Sequence, residues 1–130
     1  MIIKTIKIIC LNYLALLITF YPSKINALSH EWIAVPKSQY GEQLWDRNSV
    51  QTNQDGFTRV LSKFVPKITT DITQDILYTM DINCSEKSFR DIAVGANGFN
   101  EFENKDSEWK EPNGDNLILD VIDQVCSFIN

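Results

Sequence analysis

The sequence predicts an α+β fold: an antiparallel β-sheet of about five to six strands with one C-terminal helix packed on it and tied to it by a disulfide. Residues 76–83 alternate strictly, with Ile76, Tyr78, Met80 and Ile82 on one side, as in a strand with one buried face. The chain ends in a segment whose apolar residues recur at helical spacing: Ile118, Leu119, Ile122, Val125, Cys126 and Ile129. Strands in series before one terminal helix are typical of a sheet covered on one face.

The first strands are short and polar residues interrupt them. Residues 32–35, Trp-Ile-Ala-Val, predict a strand that ends at Pro36, because proline cannot donate to a sheet ladder. A second strand covers residues 43–46 and 49–51, with a kink at Arg47-Asn48.

Turn residues separate the remaining strands. Asp55-Gly56 is a hairpin signal, since these residues readily adopt the positive φ that a tight turn requires. A strand over residues 57–65 follows it, and residues 89–94 predict another strand after the turn at 85–87. A further short strand is predicted around Trp109.

The terminal segment predicts an amphipathic helix of about 13 residues. Asp115 or Asn113 is its expected N-cap, because a short oxygen-bearing side chain can accept from the free N–H groups of the first turn. Asp120 and Asp123 fall on the polar side. A solvated surface is therefore expected there, although a paired-carboxylate site is the alternative.

The first 27 residues have the layout of a secretory signal peptide. Lys4 and Lys7 precede an uncharged run of 14 residues, 8–21, which is shorter than the roughly 20 residues that a membrane-spanning helix needs. Pro22 and Ala27 then provide a helix breaker and a small residue. We expect cleavage after Ala27 and a single domain over residues 28–130 with no membrane span. An uncleaved N-terminal anchor is the alternative.

Charge and cysteine content describe the exported part. Residues 28–130 hold nine basic and 17 acidic side chains, a net charge of −8, which disfavours nucleic-acid binding through a broad basic face. Cys84 and Cys126 are the cysteines outside the leader. In an oxidising compartment an even count favours a disulfide. A zinc site or a catalytic thiol is disfavoured because no histidine or third cysteine lies near either residue.

No catalytic signature stands out, and no cofactor or metal is expected. His30 has no serine or cysteine partner that the sequence supports as a triad. The acidic stretch Glu101, Glu103, Asp106 and Glu108 lacks the ordered spacing of a calcium loop. Trp32, Trp45 and Trp109 could line a ligand groove, but large aromatic residues in a domain of this size are most often core.

A set of characteristic residues is spaced along the sequence: Trp32, residues 44–50 (Leu-Trp-Asp-Arg-Asn-Ser-Val), residues 78–84 (Tyr-Thr-Met-Asp-Ile-Asn-Cys), Phe89-Arg90, Trp109 and Val125-Cys126. This set resembles the surface-adhesin protein E-like family of small exported bacterial domains. The resemblance implies an antiparallel sheet with a C-terminal helix held by a disulfide between Cys84 and Cys126. It also implies binding to extracellular proteins, since the family's namesake is an adhesin.

These observations favour an exported, non-enzymatic binding or envelope protein, adhesin-like, in the periplasm or outside the cell, with a protein partner. A small ligand carrier or hydrolase is the alternative, and it would show a concave pocket of several hundred Å³ with converging polar groups. A further alternative is an inhibitor of a secreted enzyme that presents the loop Asn97–Ser107.

Overall fold

The computed structural model describes residues 29–68, 71, 74–95 and 108–130. The predicted leader, residues 1–27, lies outside these ranges. The predicted α+β fold is confirmed, with six antiparallel strands and one C-terminal helix. The elements are β1 (Trp32–Ala34), β2 (Gly41–Asp46), β3 (Gln51–Thr52), β4 (Thr58–Pro66), β5 (Ile76–Asn83), β6 (Ser88–Gly95) and α1 (Asn116–Ile129).

The strands lie in the order β1-β2-β4-β5-β6, and β3 pairs with the same strand, β4, as β2 does. β2 and β3 are therefore the two halves of the strand predicted to kink at Arg47-Asn48. The kink is a single 3₁₀ turn, Arg47–Ser49. The buried carboxylate of Asp46 accepts from the N–H of Asn48 at 3.1 Å, and the Ser49 hydroxyl donates to the Asp46 carbonyl at 2.7 Å.

The hairpin predicted at Asp55-Gly56 connects β3 to β4. Asn53 closes it, because its N–H donates to the Phe57 carbonyl at 2.9 Å and its carbonyl accepts from Gly56 at 3.2 Å. Gly56 has a φ of +83°, which costs little without a Cβ atom. The Asp-Gly pair therefore sets the turn as the sequence indicates.

The prediction of a short strand around Trp109 is wrong. A single antiparallel bridge forms there, in which Lys110 and Phe89 exchange backbone hydrogen bonds of 2.9 and 2.7 Å. Two residues later Pro112 has no N–H to donate, and Asn113 turns the chain at a φ of +44°. The pairing therefore ends after one residue and the chain continues towards α1.

The predicted helix is present over 14 residues, and Asp115 is its N-cap. Its carboxylate oxygen Oδ1 accepts from the N–H groups of Leu117 and Ile118 at 3.1 and 3.2 Å. Asn113, the other candidate cap, belongs to the turn before the helix. Among the residues described, no helix has the length and apolar character to cross a membrane.

One face of the sheet carries the core and is called the helix face below. The fully buried residues of α1 share one side of the helix: Val121, Ile122 and Val125. They pack on a cluster of sheet residues and the residue after β1: Val35, Trp45, Val60, Met80 and Ile82. The indole Nε1 of Trp45 also donates to the Gln124 side chain at 2.7 Å, so one hydrogen bond sets the position of the helix on the sheet.

The expected disulfide between Cys84 and Cys126 is present, with Cα atoms 5.6 Å apart. Cys84 follows the last residue of β5, and Cys126 lies in the C-terminal half of α1. The bond therefore ties the helix to the best-formed strand, as both the residue pattern and the family resemblance indicate.

The opposite face of the sheet has a buried ion triad. Asp81, with 0% exposure, lies between Arg59 on β4 and Arg90 on β6, with N–O distances of 2.8 and 3.0 Å. Burial by itself would raise the pKa of Asp81, but hydrogen bonds from both guanidinium groups outweigh it and hold this pKa below its ordinary value. Removing one arginine should cost less than the roughly 3–5 kcal/mol of a fully buried pair, because the Arg59 side chain is 45% exposed. The triad joins β4, β5 and the edge strand β6.

We expect the double change of Cys84 and Cys126 to serine to lower the free energy of unfolding by about 4 kcal/mol, because the bond closes a loop of 42 residues. Urea unfolding followed by tryptophan fluorescence measures the change. Reductant should destabilise the parent protein by a similar amount and leave the variant unaffected. Equal stability of parent and variant without reductant would contradict a structural role for this bond.

Candidate ligand-binding cleft

A cleft of about 630 Å³ opens on the helix face, between the first turn of α1 and the sheet. Its walls come from three parts of the chain: Gln43, Phe64, Tyr78, Phe89 and Asp91 on the sheet, the loop 38–40, and residues 114–118 at the start of the helix. The volume is within the range of small-molecule and side-chain sites. We call this feature the helix–sheet cleft.

The cleft exists because the helix packs against the sheet with its middle residues and not with its first turn. The fully buried residues of α1 lie at 121–125, whereas Leu117 and Ile118 in its first turn are only half-buried. The helix face of the sheet continues past this point with Phe64 and Tyr78, which are also half-buried. The space between these aromatic rings and the first turn is therefore left open.

The loop before β2 forms the rim of the cleft. Gly41 lies so close to β4 that a Cβ atom there would clash with the Val65 carbonyl oxygen and come within 2.8 Å of the Phe64 ring. The Ser38 hydroxyl accepts from the N–H of Tyr40 at 3.1 Å. This close turn leaves the Tyr40 side chain at the mouth of the cleft, where the residue is 64% exposed.

Gln43 brings a hydrogen-bond acceptor into the cleft although the residue is only 3% exposed. Its Nε2 donates to the Ser62 hydroxyl at 2.6 Å, and that hydroxyl donates to the Leu44 carbonyl at 2.8 Å. The Oε1 atom has no hydrogen bond. Within the described ranges, the one side-chain polar atom that is fully buried and unpaired is Ser88 Oγ, so Oε1 is in contact with the open space of the cleft.

Asp91 brings a carboxylate into the same space. It pairs opposite Met80 on the helix face, next to a bulge in which β6 has one extra residue, Ile92; bulges often lie beside functional sites. Burial raises the pKa of Asp91, and the positive charge of Lys110 offsets this only in part. Its carboxylate makes no hydrogen bond or ion pair with the part of the chain that is described.

The charged side chains known to line the cleft are acidic. Burial raises the pKa of the Tyr78 hydroxyl, and the negative charges of Asp91 and Asp115 raise it further. Among the described residues, the lining contains these two carboxylates and no lysine, arginine or histidine. A ligand group that donates hydrogen bonds or carries positive charge is therefore favoured there, and an anion is disfavoured.

The side chains of the lining are suited to binding a ligand more clearly than to reacting with one. The described residues of the lining include neither histidine nor cysteine, two residue types that often form base–nucleophile pairs. In the described ranges no three His, Cys, Asp or Glu side chains converge to hold a metal ion. What the cleft provides is aromatic and aliphatic surface around a few polar acceptors, as in most ligand sites.

A second hollow, of about 520 Å³, lies at the other end of α1 and includes Trp45 and the exposed ring of Phe128. Three of its polar side chains already have partners. Asp123 pairs with Lys87 at 3.0 Å, Gln124 accepts from Trp45, and Arg47 pairs with Glu31 at 3.2 Å. The helix–sheet cleft, whose acceptors are unpaired, is the better candidate site.

A groove lined by the tryptophans, the alternative to core positions, does not form, because the three tryptophans lie apart. Trp45 is in the core. Trp32 lies on the opposite face, with the Lys63 ammonium 4.4 Å from its ring centre. The Trp109 ring packs at an angle against Phe57, with ring centres 4.7 Å apart, beside the Arg90 guanidinium. The aromatic walls of the cleft are instead Tyr40, Phe64, Tyr78 and Phe89.

The other candidate residues lie away from the cleft. His30 Nδ1 is 2.6 Å from the buried Asp46. Burial would raise the pKa of Asp46, but this contact and two backbone N–H groups hold it below its ordinary value, so His30 anchors the start of the domain. Asp123 pairs with Lys87, and neither Asp120 nor Asp123 lines the cleft.

The remaining candidates are the acidic stretch and the loop 97–107. Glu101, Glu103, Asp106 and the loop 97–107 lie outside the described residues, and Glu108 is exposed. One sequence signal could have found two polar residues of the cleft. Gln43 stands two residues before Trp45 and Asp91 two residues after Phe89, so strand alternation puts both polar side chains on an inward face.

Fold and cleft together define a small, disulfide-bonded α+β domain with an open, acidic, aromatic-walled cleft. The chain matches the model of the surface adhesin-E family over residues 33–130, and it therefore belongs to that family, as the set of characteristic residues indicates. Family and disulfide together indicate an exported protein of the cell surface or extracellular space. Comparison with curated proteins and with solved structures found no significant match.

We expect Asp91→Asn to raise the free energy of unfolding at neutral pH. A carboxyl group whose pKa is higher in the folded than in the unfolded protein binds more protons when folded. Stability is then highest below the unfolded pKa and falls as pH rises through the folded pKa. The asparagine variant does not lose stability in this way. Its free energy of unfolding should therefore exceed that of the parent above pH 4 (roughly the ordinary aspartate pKa), and the difference should grow with pH. Urea unfolding across the pH range measures it.

Asp123→Asn is the matched control, because it removes the same charge from an exposed position on α1. It should leave the stability unchanged or slightly lower, as expected for a surface ion pair. Lower stability of the Asp91→Asn protein at neutral pH would contradict an unpaired, desolvated carboxylate in the cleft.

Proposed function

We propose that the protein is an exported, non-enzymatic binding protein, adhesin-like, that holds a side chain of a partner protein in the helix–sheet cleft. The observation that carries this proposal is the set of unpaired acceptors inside the cleft. Burial of the Asp91 carboxylate without a partner in the described residues raises its pKa and costs stability. A bound group that pairs with Asp91 recovers that cost, and Gln43 Oε1 is a second acceptor elsewhere in the cleft.

The shape of the cleft supports a protein partner over a small molecule. Tyr40 stands exposed at the mouth, so an apolar ring is available to a surface that covers the cleft. Sites for small molecules usually enclose most of the ligand, and here one side is open to solvent. A segment of a partner can enter the cleft and extend over the rim.

The site of action follows from the family and the disulfide. An oxidising compartment is needed to form the bond between Cys84 and Cys126, and the predicted leader, with cleavage after Ala27, supplies a route of export. Within that range, an adhesin-like role favours the cell surface or the extracellular space over the periplasm, because the partner is then an extracellular protein.

A small-ligand carrier is the second candidate, and the volume of the cleft favours it. A carrier needs a concave site of several hundred Å³ with converging polar groups, and the cleft meets this description. A carrier would bind its ligand equally well whether or not a partner protein is present. Native mass spectrometry of the purified protein separates the two candidates, since a carrier would show a stoichiometric small-molecule adduct.

Blocking the cleft tests the proposal. Asn116 is exposed, lines the cleft and begins the helix, so Asn116→Trp should place a large ring in the opening while leaving the core intact. Ser127→Trp puts the same ring on an exposed position near the other end of α1. Both proteins are immobilised beside the parent and tested against a panel of purified extracellular proteins.

We expect Asn116→Trp to lose at least about tenfold in affinity (roughly 1.4 kcal/mol) for any protein that the parent binds, and Ser127→Trp to retain it. Circular dichroism and thermal unfolding establish that both variants are folded. Equal binding by the parent and Asn116→Trp, or loss in Ser127→Trp alone, would place the binding site elsewhere and contradict the proposal.

A further inference from the structure

Three acceptor atoms of the cleft lining are candidates for pairing with a ligand, beside hydroxyl and amide side chains of the same lining that can both donate and accept. The Asp91 carboxylate and Gln43 Oε1 are unpaired, as shown above. Asp115 uses its Oδ1 atom as the helix cap, which leaves its Oδ2 atom available. Such a set matches a group that only donates, and among protein side chains the lysine ammonium and the arginine guanidinium have no acceptor.

The walls suit the rest of such a side chain. Phe64, Tyr78 and Phe89 present aromatic rings, whose faces attract a cation. Leu117 and Ile118 provide aliphatic surface on the opposite wall, against which a chain of methylene groups can pack. A long side chain with a cationic end therefore finds apolar contacts along its stem and acceptors at its tip.

An anionic ligand is the obvious competitor, because the cleft includes the first turn of α1. The N-terminus of a helix attracts anions through its free N–H groups. Here the Asp115 carboxylate already occupies two of them, at Leu117 and Ile118. The same carboxylate contributes to the negative charge that acts on Tyr78, so the helix terminus is neutralised from within the chain.

Lys110 is the cation of the chain that acts on Asp91. It does not fill the cleft, because it is exposed, is not among the lining residues and forms no ion pair with Asp91. The backbone bridge between Lys110 and Phe89 holds it at the edge of β6. The acidic group thus keeps its capacity to pair with a cation from outside.

We propose that the helix–sheet cleft binds a lysine or arginine side chain of the partner protein, with the cationic end at Asp91 and the stem on Leu117 and Ile118. This inference rests on the proposed function and names the chemistry of the partner segment. The partner is therefore a protein that presents a basic residue on an exposed segment, a match to the net charge of −5 of the whole chain.

Small probes test the chemistry without knowledge of the partner. The purified protein is titrated with N-acetyl-lysine amide, and the shifts of the Asp91, Gln43 and Leu117 amide signals are followed by NMR. N-acetyl-norleucine amide has the same stem without the charge, and N-acetyl-glutamate amide has the opposite charge. We expect the lysine probe to bind about tenfold more tightly than norleucine, as one charge-assisted hydrogen bond provides, and the glutamate probe to bind most weakly.

Single-residue variants show which residues bind the charged end of the lysine probe. Asp91→Asn should weaken the lysine probe by about tenfold and leave the norleucine probe unchanged, whereas Asp123→Asn should change neither. Asn116→Trp should abolish binding of every probe, which covers the case in which Asp91→Asn alters the fold. Lysine and norleucine binding with equal affinity, tighter binding of glutamate, or no binding of the lysine probe would each overturn the inference.

The two proposals can fail separately. If Asn116→Trp loses the extracellular partner but the lysine probe binds no better than norleucine, the cleft is the binding site and its ligand class is wrong. If the partner is retained by Asn116→Trp, the proposed function itself fails.

Discussion

The packing of α1 on the sheet is the constraint on which the rest of the structure depends. Val121, Ile122 and Val125 bury the middle of the helix in the core, and the Trp45–Gln124 hydrogen bond sets its position there. The disulfide at Cys126 then holds its C-terminal half to the end of β5. With these parts held, the first turn remains above the sheet, and the cleft is the space that results.

The two faces of the sheet differ in whether their buried carboxylate has a partner. On the outer face Asp81 is paired with two arginines, and its pKa is held below the ordinary value. On the helix face Asp91 is half-buried without such a partner, and its pKa is raised. The first arrangement joins three strands, whereas the second costs stability. A cost of this kind is common where a protein keeps a site ready for a ligand.

Much of the fold could be predicted because local patterns agree with it: alternation in residues 76–83, Asp55-Gly56, helical spacing after Asp115, and two cysteines. The strand at Trp109 was over-predicted because one residue of pairing resembles a short strand in sequence. The cleft itself could not be predicted, since it depends on where the helix contacts the sheet. Gln43 and Asp91 were detectable as inward polar residues, but only the tertiary structure shows that both line one cleft.

The central claim is that Asp91 is a desolvated carboxylate kept free for a cationic group. The most direct measurement is the pKa of the Asp91 side chain, followed by the carboxyl ¹³C shift in NMR, with and without saturating N-acetyl-lysine amide. The account predicts a pKa above the ordinary aspartate value in the free protein, and a decrease when the lysine probe binds, because a nearby cation favours the charged form. A pKa at or below the ordinary value in the free protein, or no change with the probe, would contradict it.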